Sequence, residues 1–168
     1  MNGVSPKYFN PNGETTRAMV VTMLWRMEGS PAQAGAAEFA DVDGAQWYAQ
    51  AVRWANANGI VEGYRDANGK GQVFNPNGAV TREQLATMLY RYAQYKKQSA
   101  SANASLGSFN DAASVSDWAT GAMQWAVGSG VISGTQKGTR VVVLDPQGSA
   151  TRAQVATMLM RYSTSAAK

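Results

Sequence analysis

The sequence predicts an all-α fold, built from helix–loop–helix repeats joined by short irregular loops. Three observations carry that prediction. A ten-residue segment ending in Thr-Arg occurs three times. Each copy opens a stretch of helical apolar spacing. A second, tryptophan-bearing helical stretch occurs twice. Self-similarity of this kind marks repeat architectures, in which each piece buries its apolar face against its neighbours.

The three segments align without gaps. They are Tyr8-Phe9-Asn10-Pro11-Asn12-Gly13-Glu14-Thr15-Thr16-Arg17, Val73-Phe74-Asn75-Pro76-Asn77-Gly78-Ala79-Val80-Thr81-Arg82 and Val143-Leu144-Asp145-Pro146-Gln147-Gly148-Ser149-Ala150-Thr151-Arg152. After each arginine, apolar residues fall at i, i+3, i+4 and i+7: Val20, Met23, Leu24, Met27; Leu85, Met88, Leu89, Tyr92; Val155, Met158, Leu159, Tyr162. This spacing predicts one buried stripe on a helix of about four turns, with Met23, Met88 and Met158 in the core. Nine residues past each Thr-Arg stands a second arginine, Arg26, Arg91 or Arg161. A cation suits the negative end of a helix, so these three read as structural residues of the last turn.

In the second recurring element, Phe39-Ala40-Asp41 matches Phe109-Asn110-Asp111, Trp47 matches Trp118, Trp54 matches Trp125 and Gly63 matches Gly134. Trp47, Ala51, Trp54 and Ala55 have helical spacing, as do Trp118, Ala122, Trp125 and Ala126. Gly59 and Gly130 read as helix-ending glycines, each followed by an apolar pair. Any β structure is expected as short pieces near residues 72–74 and 140–143. Residues 29–38 and 94–108, rich in small residues, read as flexible linkers. Met1-Asn2-Gly3-Val4 stands where the other repeats have their loop glycine, so the chain begins in mid-repeat. We expect a fragment of a longer secreted chain, with an apolar face left by the missing first helix and self-association through it.

Composition narrows the function. The chain has 168 residues, 45% hydrophobic and 15% charged, which fits a folded protein with a real core. No apolar run approaches the roughly 18 residues of a membrane span. Cysteine and histidine are absent, which removes their nucleophiles, the histidine base and the usual zinc ligands. The net charge of +4 mildly favours acidic partners, but only Lys96 and Lys97 are adjacent, unlike the clustered charge of a nucleic-acid reader. Residues 41–44 and 66–69 hint at a calcium loop without its full spacing, so no metal is expected. Nothing specifies the opposed carboxylates of a glycosidase. No cofactor and no catalysis are expected.

The order Phe-x-Asp, Trp-Ala or Trp-Tyr-Ala, Gly-Ile or Gly-Val, Gly, Phe-x-Pro, Thr-Arg-x-x and an apolar helix resembles the S-layer homology (SLH) domain over nearly the whole chain. The resemblance divides the chain into residues 1–28, the second half of repeat one; 39–93, repeat two; and 109–163, repeat three, together one domain. It implies helical repeats in a pseudo-threefold assembly. It also implies extracellular anchoring of a surface protein to secondary cell-wall polymers, often through pyruvylated sugars. The family's Thr-Arg-Ala-Glu motif maps onto Thr16-Arg17-Ala18-Met19, Thr81-Arg82-Glu83-Gln84 and Thr151-Arg152-Ala153-Gln154, where the fourth position is never Glu. Its aspartate maps to Asp41 and Asp111, its tryptophan to Trp47 and Trp118, and its loop glycine to Gly3, Gly63 and Gly134.

The residues suit an anionic sugar on their own terms. Thr-x-x-Gln can form a capping box, which Met19 cannot complete. Arg17, Arg82 and Arg152 stand at the first helical position, where the helix field disfavours a cation. A bound carboxylate, held by free amides and the guanidinium fork, would resolve that conflict. Trp47 and Trp118 could stack on a sugar ring, and Gly63 and Gly134 would let amides approach it. The competing reading pairs each arginine with a repeat aspartate, locking neighbouring repeats together. Asp41 and Asp111 could equally cap the tryptophan helices, whose Trp54 and Trp125 read as core. The grooves between repeats are the expected sites, led by Arg82 and Arg152, with a protein–protein module as the alternative use.

Overall fold

The computed structural model describes residues 7–35, 39–65, 72–98, 101, 103–137 and 141–165; Gly3, residues 66–69 and Arg140 lie outside them. The chain divides into two compact units, Thr15–Ala79 and the residues flanking it on both sides.

In the unit Thr15–Ala79, α1 (Arg17–Met27) packs on α2 (Ala49–Ala57), and β1 (Tyr64–Arg65) pairs antiparallel with β2 (Gln72–Val73). The core gathers Val20, Val21 and Leu24 of α1, Val52 and Trp54 of α2, and Phe39, Ile60 and Phe74 from the connections. Phe39 and Phe74 meet with ring centroids 5.5 Å apart.

In the other unit, α3 (Arg82–Tyr95) packs on α4 (Thr120–Gly128). β3 (Thr135–Lys137) pairs antiparallel with β4 (Val141–Val143), and α5 (Arg152–Ser165) follows. Leu85, Leu89, Met123, Leu144, Val155 and Met158 are buried. Tyr92, Trp125 and Tyr162 form an aromatic cluster, with centroids 5.5 Å apart for the tyrosine pair and 6.4 Å for Trp125–Tyr162.

The described elements are mostly helical, and the short strands fall at residues 72–73 and 141–143 within the two expected stretches. Their partners β1 and β3 were not foreseen. The helix ends follow local chemistry. Gly59 (φ 67°) and Gly130 (φ 75°) take the left-handed conformation that closes a helix. Thr81 and Gln84 form the full capping box on α3, and on α5 Gln154 N donates to Thr151 Oγ1 and Thr151 N to Gln154 Oε1. On α1, Thr16 accepts from Met19 N, and the reciprocal bond is missing because methionine has no acceptor to offer.

Several expectations need correction. Only α3 and α5, at 14 residues each, have four turns; α1 has 11. Met27 is 45% exposed and Met23 half-buried, because α1 buries Val21 and Thr22 in addition to Val20 and Leu24. Arg26 lies in a last turn, but α3 and α5 continue beyond Arg91 and Arg161. The expected flexible linkers are tied down in part. Trp25 Nε1 donates to Pro31 O at 2.8 Å, Arg53 Nη1 to Gly35 O at 2.7 Å, and Ala104 N to Gln124 O at 3.1 Å.

Candidate functional site

Each Asn/Asp-Pro-x-Gly segment is a tight turn. The glycine N–H donates to the carbonyl three residues back: Gly13 to Asn10 at 3.1 Å, Gly78 to Asn75 at 3.1 Å, Gly148 to Asp145 at 3.0 Å. Proline at the second position and glycine at the fourth suit such a turn. Asn10, Asn75 and Asp145 open it at φ 52°, 57° and 51°, a left-handed conformation that Asn and Asp tolerate best among residues with a side chain.

The turn of each repeat receives a helix start from another repeat. Arg17 N donates to Gly78 O and Ala18 N to Pro76 O, each at 3.0 Å. Arg82 N donates to Gly148 O and Glu83 N to Pro146 O, again at 3.0 Å. Arg152 N and Ala153 N donate to Gly13 O and Pro11 O, each at 2.9 Å. The third amide of each helix goes to its threonine cap. The amides that the sequence reading left for an anion are therefore occupied by neighbouring backbone. An anion here must be held by side chains.

The three arginines follow the same route. Arg17 Nε donates to Phe74 O at 2.8 Å, Arg82 Nε to Leu144 O at 2.6 Å and Arg152 Nε to Phe9 O at 2.8 Å. All three are buried, with exposures of 4%, 4% and 7%. Burial lowers the pKa of Arg17, opposed by the nearby Tyr64 and Asp41. It lowers that of Arg82 too, opposed by Asp145 and Asp111. Arginine remains a cation under such shifts.

Asp41 and Asp111 grip the same loops from the other side. Asp41 accepts from Phe74 N and Asn75 N, both at 2.7 Å. Asp111 accepts from Leu144 N at 2.9 Å and Asp145 N at 2.7 Å. Neither caps a tryptophan helix, since α2 and α4 begin after Tyr48 and Ala119 without a side-chain cap. Each aspartate fixes the loop residue whose carbonyl receives the arginine.

The arginine surroundings differ. The Arg17 guanidinium lies between two rings, with its central carbon 4.7 Å from the centroids of both Tyr64 and Phe74. Arg152 lies 4.9 Å from the Phe9 ring. At Arg82 the corresponding residues are Thr135 and Leu144, and the arginine borders an open cleft of about 210 Å³. Gly134, Gln154, Thr157 and Arg161 also line it.

Trp47 and Trp118 are each 58% exposed, with ring surface open to solvent. They precede α2 and α4, so the helical register does not carry them inward. Trp54 and Trp125 are core residues, as expected. Gly63 and Gly134 serve packing first. A β-carbon on Gly63 would lie 2.5 Å from Phe39 Cε1 and 2.8 Å from Val73 O; one on Gly134 (φ 83°) would collide with Val142 and Phe109. Arg161, read from the sequence as a structural residue of a last turn, lines the cleft beside Arg82. Its nine-residue spacing from Arg152 was the available signal.

Comparison with known proteins places this geometry in context. A family model described as the S-layer homology domain matches residues 38–86 and 108–156. An amylopullulanase of Thermoanaerobacterium thermosulfurigenes is 30% identical over 95% of this chain and 8% of its own length. Exoglucanase XynX of Acetivibrio thermocellus is 31% identical over 95% of this chain and 14% of its own. A surface-layer 125 kDa protein of Lysinibacillus sphaericus is 29% identical over 91% of this chain and 12% of its own. The chain thus spans a small part of these relatives.

Proposed function

The chain belongs to the S-layer homology domain family, and from that premise we propose that it binds an anionic cell-wall glycan and anchors a surface protein without catalysing a reaction. Its place is the bacterial cell surface, outside the cell. The enzymatic names among the relatives belong to much longer proteins, of which this chain matches 8% and 14%. In this reading residues 1–28, 39–93 and 109–163 act as S-layer homology repeats of one pseudo-threefold domain.

The observation that supports glycan binding best is the open cleft beside Arg82. Nε of Arg82 is committed to Leu144 O, which sets the plane of the guanidinium. The two Nη groups then offer a rigid fork that matches a carboxylate. Gly134 lines the cleft, and Gln154 and Thr157 supply neutral polar groups. The acid in this reading is a pyruvate ketal on the sugar. The Arg17 guanidinium, already faced by Tyr64 and Phe74, is the weaker candidate. Exposed Trp47 and Trp118 add apolar faces for sugar rings.

Calorimetric titration tests the proposal. The chain is titrated with purified pyruvylated wall polymer and with the same polymer stripped of ketals, as wild type, Arg82→Ala and Trp118→Ala. The expected result is binding that needs the ketal, is lost in Arg82→Ala and is weakened in Trp118→Ala. Because Arg82 is buried, its melting curve is recorded in parallel, and Trp118→Ala gives a variant with little folding cost. Equal binding of both polymers by the wild type would overturn the ketal assignment, and binding of neither would overturn the glycan reading.

A further inference from the structure

The cleft at Arg82 contains a second cation that the glycan reading does not use. Arg161 of α5 lines it, half-buried, and its Nη1 donates to Ser133 Oγ at 2.9 Å. The other lining residues are apolar, or neutral and polar like Ser133, Thr135, Gln154 and Thr157; none is an aspartate or glutamate. Two guanidinium groups therefore border one concavity whose lining has no carboxylate. Low-dielectric walls focus the field of like charges in a cleft and draw counter-ions into it. Arg82 has the fields of Asp145 and Asp111 acting on it. Arg161 is instead oriented by a neutral hydroxyl, which fixes its fork and leaves its charge in place.

One aligned repeat carries a different pair of residues at these two positions. The position of Ser133 is occupied there by Glu62, and that of Arg161 by Arg91. The sequence supplies a carboxylate in one repeat and a serine in the other. The cleft volume of about 210 Å³ lies below the roughly 300 Å³ at which small-molecule pockets begin, so it faces one sugar unit at most rather than enclosing a longer glycan segment.

We infer that the cleft takes a sugar unit bearing two negative charges, one facing Arg82 and one facing Arg161, and that Arg161 sets this preference. The inference rests on the glycan reading and names the ligand class of the same site. Two guanidinium forks in fixed orientation distinguish a dianion from a monoanion by one additional charge-assisted contact.

The test uses the full chain and two synthetic probes: a methyl glycoside with one pyruvate ketal, and the same glycoside with a sulfate monoester, which adds a single charge, on an adjacent hydroxyl. Wild type is expected to bind the doubly charged probe about tenfold tighter. Arg161→Gln is expected to bring the two affinities within roughly twofold, the doubly charged probe losing far more than the singly charged one. A merely structural role for Arg161 would lower both affinities together and leave their ratio unchanged. A wild-type ratio near one, or a preference that survives Arg161→Gln, overturns the inference while the glycan reading stands. Binding of neither probe by wild type would remove the glycan reading and this one with it.

Discussion

Arg82 and Asp111 hold one residue, Leu144, by its two backbone ends: Arg82 Nε donates to Leu144 O and Asp111 accepts from Leu144 N. Arg17 and Asp41 do the same to Phe74. The acid and the base thus cooperate through a peptide segment. The aspartate orients a carbonyl, and the carbonyl orients the guanidinium.

Removing that aspartate loosens the arginine indirectly. Asp111→Ala leaves Leu144 N and Asp145 N without their acceptor, for a loss of roughly 1–3 kcal/mol. Asp111→Asn keeps one oxygen and is expected to lose less. Urea denaturation of the two variants reads the order. Equal midpoints for Asp111→Ala and wild type would mean that water replaces the carboxylate without loss.

Thr15 is fully buried, and its Oγ1 makes no hydrogen bond among the described residues. The aligned positions carry Val80 and Ala150, also fully buried. Thr15→Val keeps the shape and removes an unsatisfied hydroxyl, so it is expected to stabilise the chain by about 1 kcal/mol. A fall in thermal midpoint would show that the hydroxyl has an unrecognised partner.

α1 lacks the reciprocal capping bond that α3 and α5 possess. Met19→Gln supplies it at a half-buried site and is expected to gain roughly 0.5–1 kcal/mol. Hydrogen exchange at the Thr16 amide should slow in the variant; exchange as fast as in wild type would show that the glutamine turns outward.

Gly63→Ala forces a methyl group against Phe39 and the Val73 carbonyl. Overpacking of this kind is expected to cost about 1–3 kcal/mol. Gly44→Ala, where a β-carbon meets nothing within 4 Å, is the comparison. Equal melting temperatures for the two variants would refute the packing role.

Trp118→Ala removes a side chain that is 58% exposed. Its stability is expected to stay within about 0.5 kcal/mol of wild type, while glycan affinity falls. Unchanged affinity would take Trp118 out of the binding surface and leave Trp47 as the remaining aromatic face.

Patterns that act over a few residues were legible in the sequence. The Thr-x-x-Gln boxes, the left-handed Gly59 and Gly130 and the apolar stripe of α3 are all where local chemistry puts them. Pairings over long separations were not. Arg17 meets Phe74 across 57 positions, and Arg82 meets Leu144 across 62. No local pattern specifies that the turn of another repeat covers a helix start, so its amides were misread as free. The four-residue spacing of Trp47 to Ala51 and of Trp118 to Ala122 looks helical, although α2 and α4 begin two residues after the tryptophans.

Arg152 closes the longest of these separations, 143 positions back to Phe9, and its helix start is bonded to Pro11 and Gly13. The motif and the site it builds therefore belong to different stretches of chain. A graft bearing residues 109–163 alone would carry an intact Thr-Arg helix and lose the carbonyls that aim its arginine. The portable piece, for anyone moving this surface to another protein, is a helix together with the turn that accepts its first amides.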